Sequence, residues 1–118
     1  MIRKYTAQDG IDILGENMSE ESKLNAVAGP GYTMIVGGKP VACGGVRIYG
    51  VGEAWFAMNQ EAENHKFQLI KESKRWLDEI TRENNLWETF AWPKLDDMDK
   101  ARRFLKHMGF KPLEAFVR

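Results

Sequence analysis

The stretch that decides the fold runs from Tyr32 to Met58 and reads YTMIVGGKPVACGGVRIYGVGEAWFAM. It is rich in β-branched, aromatic and small apolar residues, and glycines interrupt it repeatedly, which is typical of strands joined by tight turns. Gly37-Gly38 predicts a two-residue hairpin turn, because such turns need positive φ at their central positions. We therefore predict one strand over Tyr32–Val36 and its antiparallel return over Pro40–Tyr49.

A third strand follows this hairpin. Gly50–Gly52 predicts a second turn, and the chain then continues as an apolar strand over Glu53–Met58. Gly44-Gly45 lies inside the second strand, where glycine indicates either a β-bulge or a close approach of another backbone. Three consecutive antiparallel strands result.

Two short helices precede these strands. Thr6 follows an opening strand over Ile2–Tyr5 and predicts a helix N-cap, with Asp9 favourably placed in the first turn. Ser19 begins a second helix, which Gly29-Pro30-Gly31 ends. Both helices are short, so tertiary packing must hold them.

The remaining elements alternate between helix and strand. Apolar residues at helical spacing predict a long helix over Glu61–Glu83. Leu86–Trp92 is typical of a compact apolar strand, a further helix begins near Asp96, and Gly109 is placed to cap that helix in the left-handed conformation. Phe110–Val117 is the final predicted strand.

This order of elements predicts the fold class. An antiparallel meander that leads into a strand-helix-strand crossover makes a mixed sheet with both kinds of strand pairing. We predict an α/β (α+β) fold in which a mostly antiparallel sheet is flanked by helices on both faces. The length of 118 residues suits a single domain over residues 1–118.

Composition narrows the classes of partner. The 17 basic and 17 acidic residues give a formal net charge of zero, so a domain-wide basic field for nucleic acid is absent and nucleic acid is not an expected partner. Cys43 is the single cysteine and cannot form an internal disulfide, which fits a reducing compartment. We see no signal peptide and no membrane-length apolar window, and expect a cytoplasmic protein without a membrane partner.

Two sets of residues make the chain similar to the GNAT acetyltransferase superfamily. The start and the end of the chain carry spaced positions that this family also shows, together with the same order of elements. The positions are Ile2, Arg3, Thr6 and Asp9 at the start, and Ala101, Gly109 and Phe110 at the end. The resemblance implies a GNAT-like fold over nearly the whole chain.

A narrower resemblance is to the small GNAT-like proteins of short-tailed phages, some of which are internal virion or assembly proteins. The shared features are Gly38-x-Pro40-x-Ala42-x-Gly44-Gly45, Trp55-Phe56, Leu86-Trp87, Trp92 and Arg103-Phe104-Leu105-Lys106-x-x-Gly109, in that order. This resemblance implies a phage protein located in the host cytoplasm or in the virion. Its implied partner is a phage structural protein or a host protein.

The superfamily binds acetyl-CoA at the turn between the fourth strand and the long helix, where backbone N–H groups meet the pyrophosphate. The resemblance therefore implies acetyl-CoA as the cofactor. The implied cofactor-binding residues are Trp55, Phe56, Met58, Asn59, His65 and Trp92. It also implies that Glu53, at the start of the fourth strand, is the catalytic base that deprotonates an amine through water.

This sequence departs from the family pattern at the chemical positions. The turn Met58–His65 contains neither glycine nor arginine, and Glu61 and Glu63 stand where a polyanion would bind. Two like charges about 6 Å apart, such as a glutamate and a phosphate, repel by roughly 3 kcal/mol at an effective dielectric near 20. The alternative interpretation is that the two glutamates simply complement the N-terminus of the helix. Leu105 occupies the position of the family's frequent tyrosine acid, and Met98 that of a frequent asparagine.

No metal site is predicted. The spacing Glu61-x-Glu63-x-His65 does not place three ligands on one helical face. Asp96-Asp97-x-Asp99 opens a helix, so capping accounts for it.

Three functional hypotheses stay open. The first is a non-catalytic or weakly active assembly or binding protein on the GNAT-like scaffold, and the second is an acetyl-CoA-dependent N-acetyltransferase with Glu53 as base and Tyr32 or Tyr49 as alternative proton donors. The third is an inhibitor of a host factor that uses a basic stretch on the last helix. That stretch consists of Lys100, Arg102, Arg103 and Lys106.

Overall fold

The computed structural model describes residues 1–49, 51–84, 86, 89–91, 98–112 and 116–117. The strands are β1 Ile2–Lys4, β2 Gly31–Val36, β3 Lys39–Ile48, β4 Gly52–Met58, β5 Thr89–Ala91, β6 Lys111–Pro112 and β7 Phe116–Val117. The α-helices are α1 Ala7–Leu14, α2 Ser19–Ala28, α3 Lys66–Glu83 and α4 Met98–His107. Two 3-10 helices, Glu16–Met18 and Gln60–His65, precede α2 and α3.

The strands of the described residues form one sheet in the order β1-β2-β3-β4-β5-β7-β6. Antiparallel pairs join β1 to β2, β2 to β3, and β3 to β4. After the crossover through α3, β5 pairs with β4 in parallel, and antiparallel pairing then joins β5 to β7 and β7 to β6. The predicted meander, the crossover and the mixed, mostly antiparallel sheet are confirmed.

Helices cover both faces of this sheet. Side chains alternate along β4, so Ala54 and Phe56 pack in the core cluster of α3 and α4, whereas Trp55 and Ala57 pack in the cluster of α1. The α3–α4 side also contains Leu77, Ile80, Leu105, Met108 and Phe110, all buried. The prediction of helices on both faces is therefore confirmed.

The carboxylate of Asp9 joins three elements at the edge of the sheet. Its two oxygens accept hydrogen bonds from Arg3 Nη1 and Nη2, each at 2.7 Å, from the Thr6 backbone N at 2.9 Å and from Thr33 Oγ1 at 2.8 Å. Thr6 in return caps α1, since its Oγ1 accepts from the Asp9 backbone N. Burial alone would raise the pKa of Asp9, but the bonds from Arg3, Thr33 and Thr6 outweigh it and hold the pKa below its ordinary value.

The glycines of the meander have different tasks. Gly37 and Gly38 have φ of 59° and 78°, which confirms the predicted tight turn. At Gly45 a Cβ would lie 2.4 Å from the Pro30 carbonyl oxygen and 2.8 Å from Gly31 Cα. Of the two predicted roles for Gly44-Gly45, a β-bulge or a close approach of another backbone, the structure therefore shows the close approach. The register irregularity of this strand pair lies instead between Met34 and Ile35.

Three predicted boundaries were wrong. The long helix begins at Lys66 rather than Glu61, because Asn59 caps a 3-10 turn over Gln60–His65 before α3 starts. The final strand is two short strands, β6 and β7, that pair with each other. Of the predicted strand Leu86–Trp92, the described strand residues are Thr89–Ala91, and the start of the last helix near Asp96 lies outside the described residues. Gly109, with φ of 96°, ends α4 in the left-handed conformation as predicted.

The core beside Asp9 also contains buried hydroxyls. Tyr32 stacks on Trp76 with ring centroids 6.2 Å apart, and its buried hydroxyl lies beside the buried hydroxyl of Ser73. Burial raises the pKa of the Tyr32 hydroxyl well above its ordinary value. These groups contrast with the neighbouring Thr33, whose hydroxyl donates to Asp9.

We predict that Asp9→Asn lowers the free energy of unfolding at neutral pH by about 2–4 kcal/mol, because an amide has a single acceptor oxygen where the carboxylate accepts four hydrogen bonds. The folded-state pKa of Asp9 lies below the ordinary 3.8, so its stabilisation is full above that value and is lost as the pH falls through the folded-state pKa. Urea unfolding of both proteins from neutral to acid pH measures this. A gap between the two proteins that stays constant into strong acid would contradict the prediction.

A second prediction compares neighbours on β2. Thr33→Val leaves the buried Asp9 carboxylate one donor short and should lower the free energy of unfolding by about 1–3 kcal/mol. Tyr32→Phe removes a buried hydroxyl whose polar neighbour is the uncharged Ser73, and it should change the free energy of unfolding by at most about 1 kcal/mol. Urea unfolding at neutral pH compares the pair. Equal destabilisation by both substitutions would show that the Asp9 network is not special.

Candidate functional site

Glu53, the predicted catalytic base, lies at the start of β4 directly opposite Arg47 of β3. Its Oε1 accepts a hydrogen bond from Arg47 Nη1 at 3.0 Å, and its Oε2 accepts one from the Tyr49 hydroxyl at 2.8 Å. The antiparallel register of β3 and β4 brings Arg47 and Glu53 together, and Tyr49 follows directly after β3. Both carboxylate oxygens therefore already hold a donor.

Arg47 continues this cluster toward α2. Its Nε donates to Asn25 Oδ1 at 2.5 Å, and its Nη2 donates to Glu21 Oε1 at 3.2 Å. Asn25 is buried, so the guanidinium attaches α2 to the middle of the sheet through a fixed amide. Because Arg47 bridges two elements, its geometry is set by the fold and not by a ligand.

The Tyr49 phenol is held by the same carboxylate. Its hydrogen bond to Glu53 raises its pKa above the ordinary 10.0, and burial adds little because the side chain is 61% exposed. A phenol that donates to a fixed anion releases its proton less readily. Tyr49 is thus a poorer proton donor than an isolated tyrosine.

The sheet is closed beside Glu53. Parallel pairing joins Gly52, Glu53 and Ala54 of β4 to Thr89, Phe90 and Ala91 of β5. Trp92, the predicted cofactor contact on the adjacent strand, lies outside the described residues. No opening between these two strands exists at the level of Glu53.

The turn ahead of α3 is held by Asn59, a predicted cofactor contact. Its backbone N donates to the Val41 carbonyl at 2.9 Å, its Nδ2 donates to the Pro40 carbonyl at 3.5 Å, and its Oδ1 accepts from Ala62 N at 3.3 Å. Asn59 therefore acts as a cap that fastens the turn to β3. Two of the backbone amides in this turn, those of Asn59 and Ala62, already have protein partners.

The two acids of the turn each meet a cationic or imidazole partner. Glu61 Oε1 lies 3.5 Å from His65 Nε2, and its Oε2 accepts from Asn64 Nδ2 at 3.3 Å. Glu63 forms an ion pair with Lys100 of α4. Both carboxylates therefore have partners within the protein, and the pair of Glu63 with Lys100 ties the turn to α4.

The other predicted cofactor contacts do not converge. Trp55 packs edge-on against Tyr5 at 4.7 Å on the α1 side of the sheet. Phe56 packs edge-on against Phe104 of α4 at 5.0 Å on the opposite side, where Met58 also lies. Trp55 and Phe56, though adjacent in sequence, therefore face different helical layers.

Positions named for the family's proton donor and cofactor contact are apolar here. Leu105 is 3% exposed and packs in the α3–α4 core. Met98 begins α4, and its side chain lies outside the described set. In the described part of the chain, no three or more His, Cys, Asp and Glu side chains are grouped to hold a metal ion.

Sequence reasoning missed the partners that define this cluster. The sequence could have predicted the Arg47–Glu53 pair, because the register of the hairpin places these two residues opposite each other. No sequence pattern predicts the contacts of Arg47 with Asn25 and of Glu63 with Lys100, since they join elements far apart in the chain.

The chain matches no family model, no curated protein and no solved structure. Among the helices of the described residues, none has both the length and the apolar character needed to cross a bilayer. The similarity to the GNAT superfamily therefore depends on the motifs and the element order alone.

A tyrosine titration tests the Glu53 cluster. Burial raises the pKa of Tyr5 to about 12 and that of Tyr32 further, so the first phenolate step belongs to Tyr49. Glu53→Gln removes the anion beside Tyr49 and should lower the pKa of this step toward 10.0. Ultraviolet phenolate absorbance measures it.

Glu21→Gln is the matched control for this titration, because it removes a carboxylate from the same cluster that binds Arg47 and not Tyr49. It should leave the first step in place, and Tyr49→Phe should remove that step. If the pKa of the first phenolate step were the same in Glu53→Gln as in the natural chain, the hydrogen bond between Tyr49 and Glu53 would be contradicted.

Proposed function

We propose that this chain is a non-catalytic or weakly active binding and assembly module, of phage type, built on a GNAT-like scaffold. The observation that carries the proposal is the state of Glu53, whose two oxygens are bound by Arg47 and Tyr49. A general base takes up the proton that it removes, directly or through one water, and at Glu53 this would neutralise the carboxylate that pairs with Arg47. Proton transfer to Glu53 would therefore weaken contacts that join α2, β3 and β4.

The turn ahead of α3 supports the same proposal. A pyrophosphate needs several unobstructed N–H donors, whereas the amides of Asn59 and Ala62 are already bonded within the protein. Binding there would also place phosphates beside Glu61 and Glu63, and only by separating Glu63 from Lys100 would that lysine become available to them. These residues do not fit acetyl-CoA as the turn stands.

The lack of a tyrosine at position 105 of the last helix is the third support. Leu105 fills the position where the resemblance places a tyrosine, and it packs in the core beside Met108. Phe56 and Phe104 fill the space between β4 and α4 with an aromatic contact. A leaving thiolate would have no proton donor among these side chains.

The test is calorimetric titration with acetyl-CoA at about 1 mM, together with an acetylation assay on a polyamine and a lysine peptide. We expect no saturable heat and no product above the uncatalysed rate. Glu53→Gln and the matched surface variant Glu16→Gln should both leave these readings unchanged. Product formed by the natural chain and lost only in Glu53→Gln would establish the N-acetyltransferase alternative and overturn the proposal.

A further inference from the structure

The charges of this neutral chain are divided between its two helical layers. Residues 7–28, which contain α1, the 3-10 turn and α2, hold five acidic residues and one basic residue. Residues 66–83 and 98–107, which form α3 and α4, hold five acidic and nine basic residues. Since the two pairs of helices cover opposite faces of the sheet, one helical side is acidic and the other is basic.

The basic side is concentrated on α4. Arg102, Arg103 and Lys106 are all exposed and lie on one face of the helix at spacings of three and four residues. Among the described residues, none of the three has a carboxylate within ion-pair distance, whereas Lys100 pairs with Glu63. We call these three residues the α4 basic face.

The acidic side has an exposed apolar stripe beside its charges. Glu20, Leu24 and Val27 follow helical spacing on the outer surface of α2, with Leu24 51% and Val27 83% exposed. Glu16, in the 3-10 turn that leads into α2, is also exposed. These four residues are called the α2 acidic face.

We propose that the α4 basic face of one copy docks on the α2 acidic face of a second copy. Glu16 and Glu20 would pair with the arginines, and the aliphatic stems of the basic side chains would cover Leu24 and Val27. Both helices have ten residues, so their faces match in length. This complementarity of charge and length favours a second copy of the chain as the occupant.

The geometry makes this contact heterologous. The two faces lie on opposite sides of the sheet, so they cannot pair within one molecule, and each bound copy keeps one face free. Repetition gives an open chain, or a ring if the rotation closes. The inference goes beyond the proposed function, since self-association does not depend on whether acetyl-CoA binds.

The experiment is sedimentation velocity over a range of concentrations at about 20 mM and about 500 mM salt, where the Debye length falls from roughly 20 Å to roughly 4 Å. The natural chain should grow beyond a dimer with concentration at low salt and be monomeric at high salt. Arg102→Glu/Arg103→Glu and Glu16→Lys/Glu20→Lys should each be monomeric alone. Mixed one to one, they should associate again, because the intact α4 basic face of one variant meets the intact α2 acidic face of the other, and the two reversed faces also carry opposite charges.

Lys71→Glu/Lys74→Glu is the matched control, since it makes the same change in net charge at two exposed positions of α3. It should associate as the natural chain does, and circular dichroism should confirm that every variant is folded. A natural chain that is monomeric throughout, or a mixture that stays monomeric, would overturn the proposal. So would equal loss of association in the α3 control, which would point to net charge and not to the α4 basic face.

Discussion

A buried carboxylate needs hydrogen-bond donors that replace the water it has lost. In this molecule Asp9 accepts four hydrogen bonds from three places in the fold. Removing such a charge from water costs several kcal/mol unless donors surround it. Because the donors belong to β1, to the cap of α1 and to β2, the charge is satisfied only when these elements are assembled. Tyr5 extends the constraint, since its hydroxyl donates to the Ser22 carbonyl and ties α2 to the same corner.

Local chemistry explains why much of the fold could be predicted from the sequence. A threonine followed three residues later by an acid indicates a helix start, and Thr6 with Asp9 forms that cap. Gly37-Gly38 and Gly109 have the positive φ that their turns require. The predicted start of α3 was wrong for an equally local reason. Asn59 initiates a 3-10 turn, and the residues of this turn keep a helical pattern in the sequence.

The candidate site could be predicted only in its composition. Glu53, Asn59 and His65 were named from motif positions, but their partners determine what they do. Arg47 reaches Asn25 across 22 residues of chain, and no spacing rule connects a strand residue with a helix residue at that distance. The foreseeable partners were the local ones, namely Arg47 for Glu53 through hairpin register and Glu61 for His65 at a spacing of four residues.

The division between bound and unbound charges bears on function. Glu53 and Glu63 hold basic partners that join elements of the fold, so using either for chemistry would weaken contacts among α2, β3, β4 and α4. Among the described residues, the exposed charges of Glu16, Glu20, Arg102, Arg103 and Lys106 form no ion pair that holds these elements together. Binding through them leaves the fold contacts intact and adds only desolvation at a surface, which is weak and salt-dependent. The architecture therefore favours recognition by its outer helices over chemistry inside its sheet.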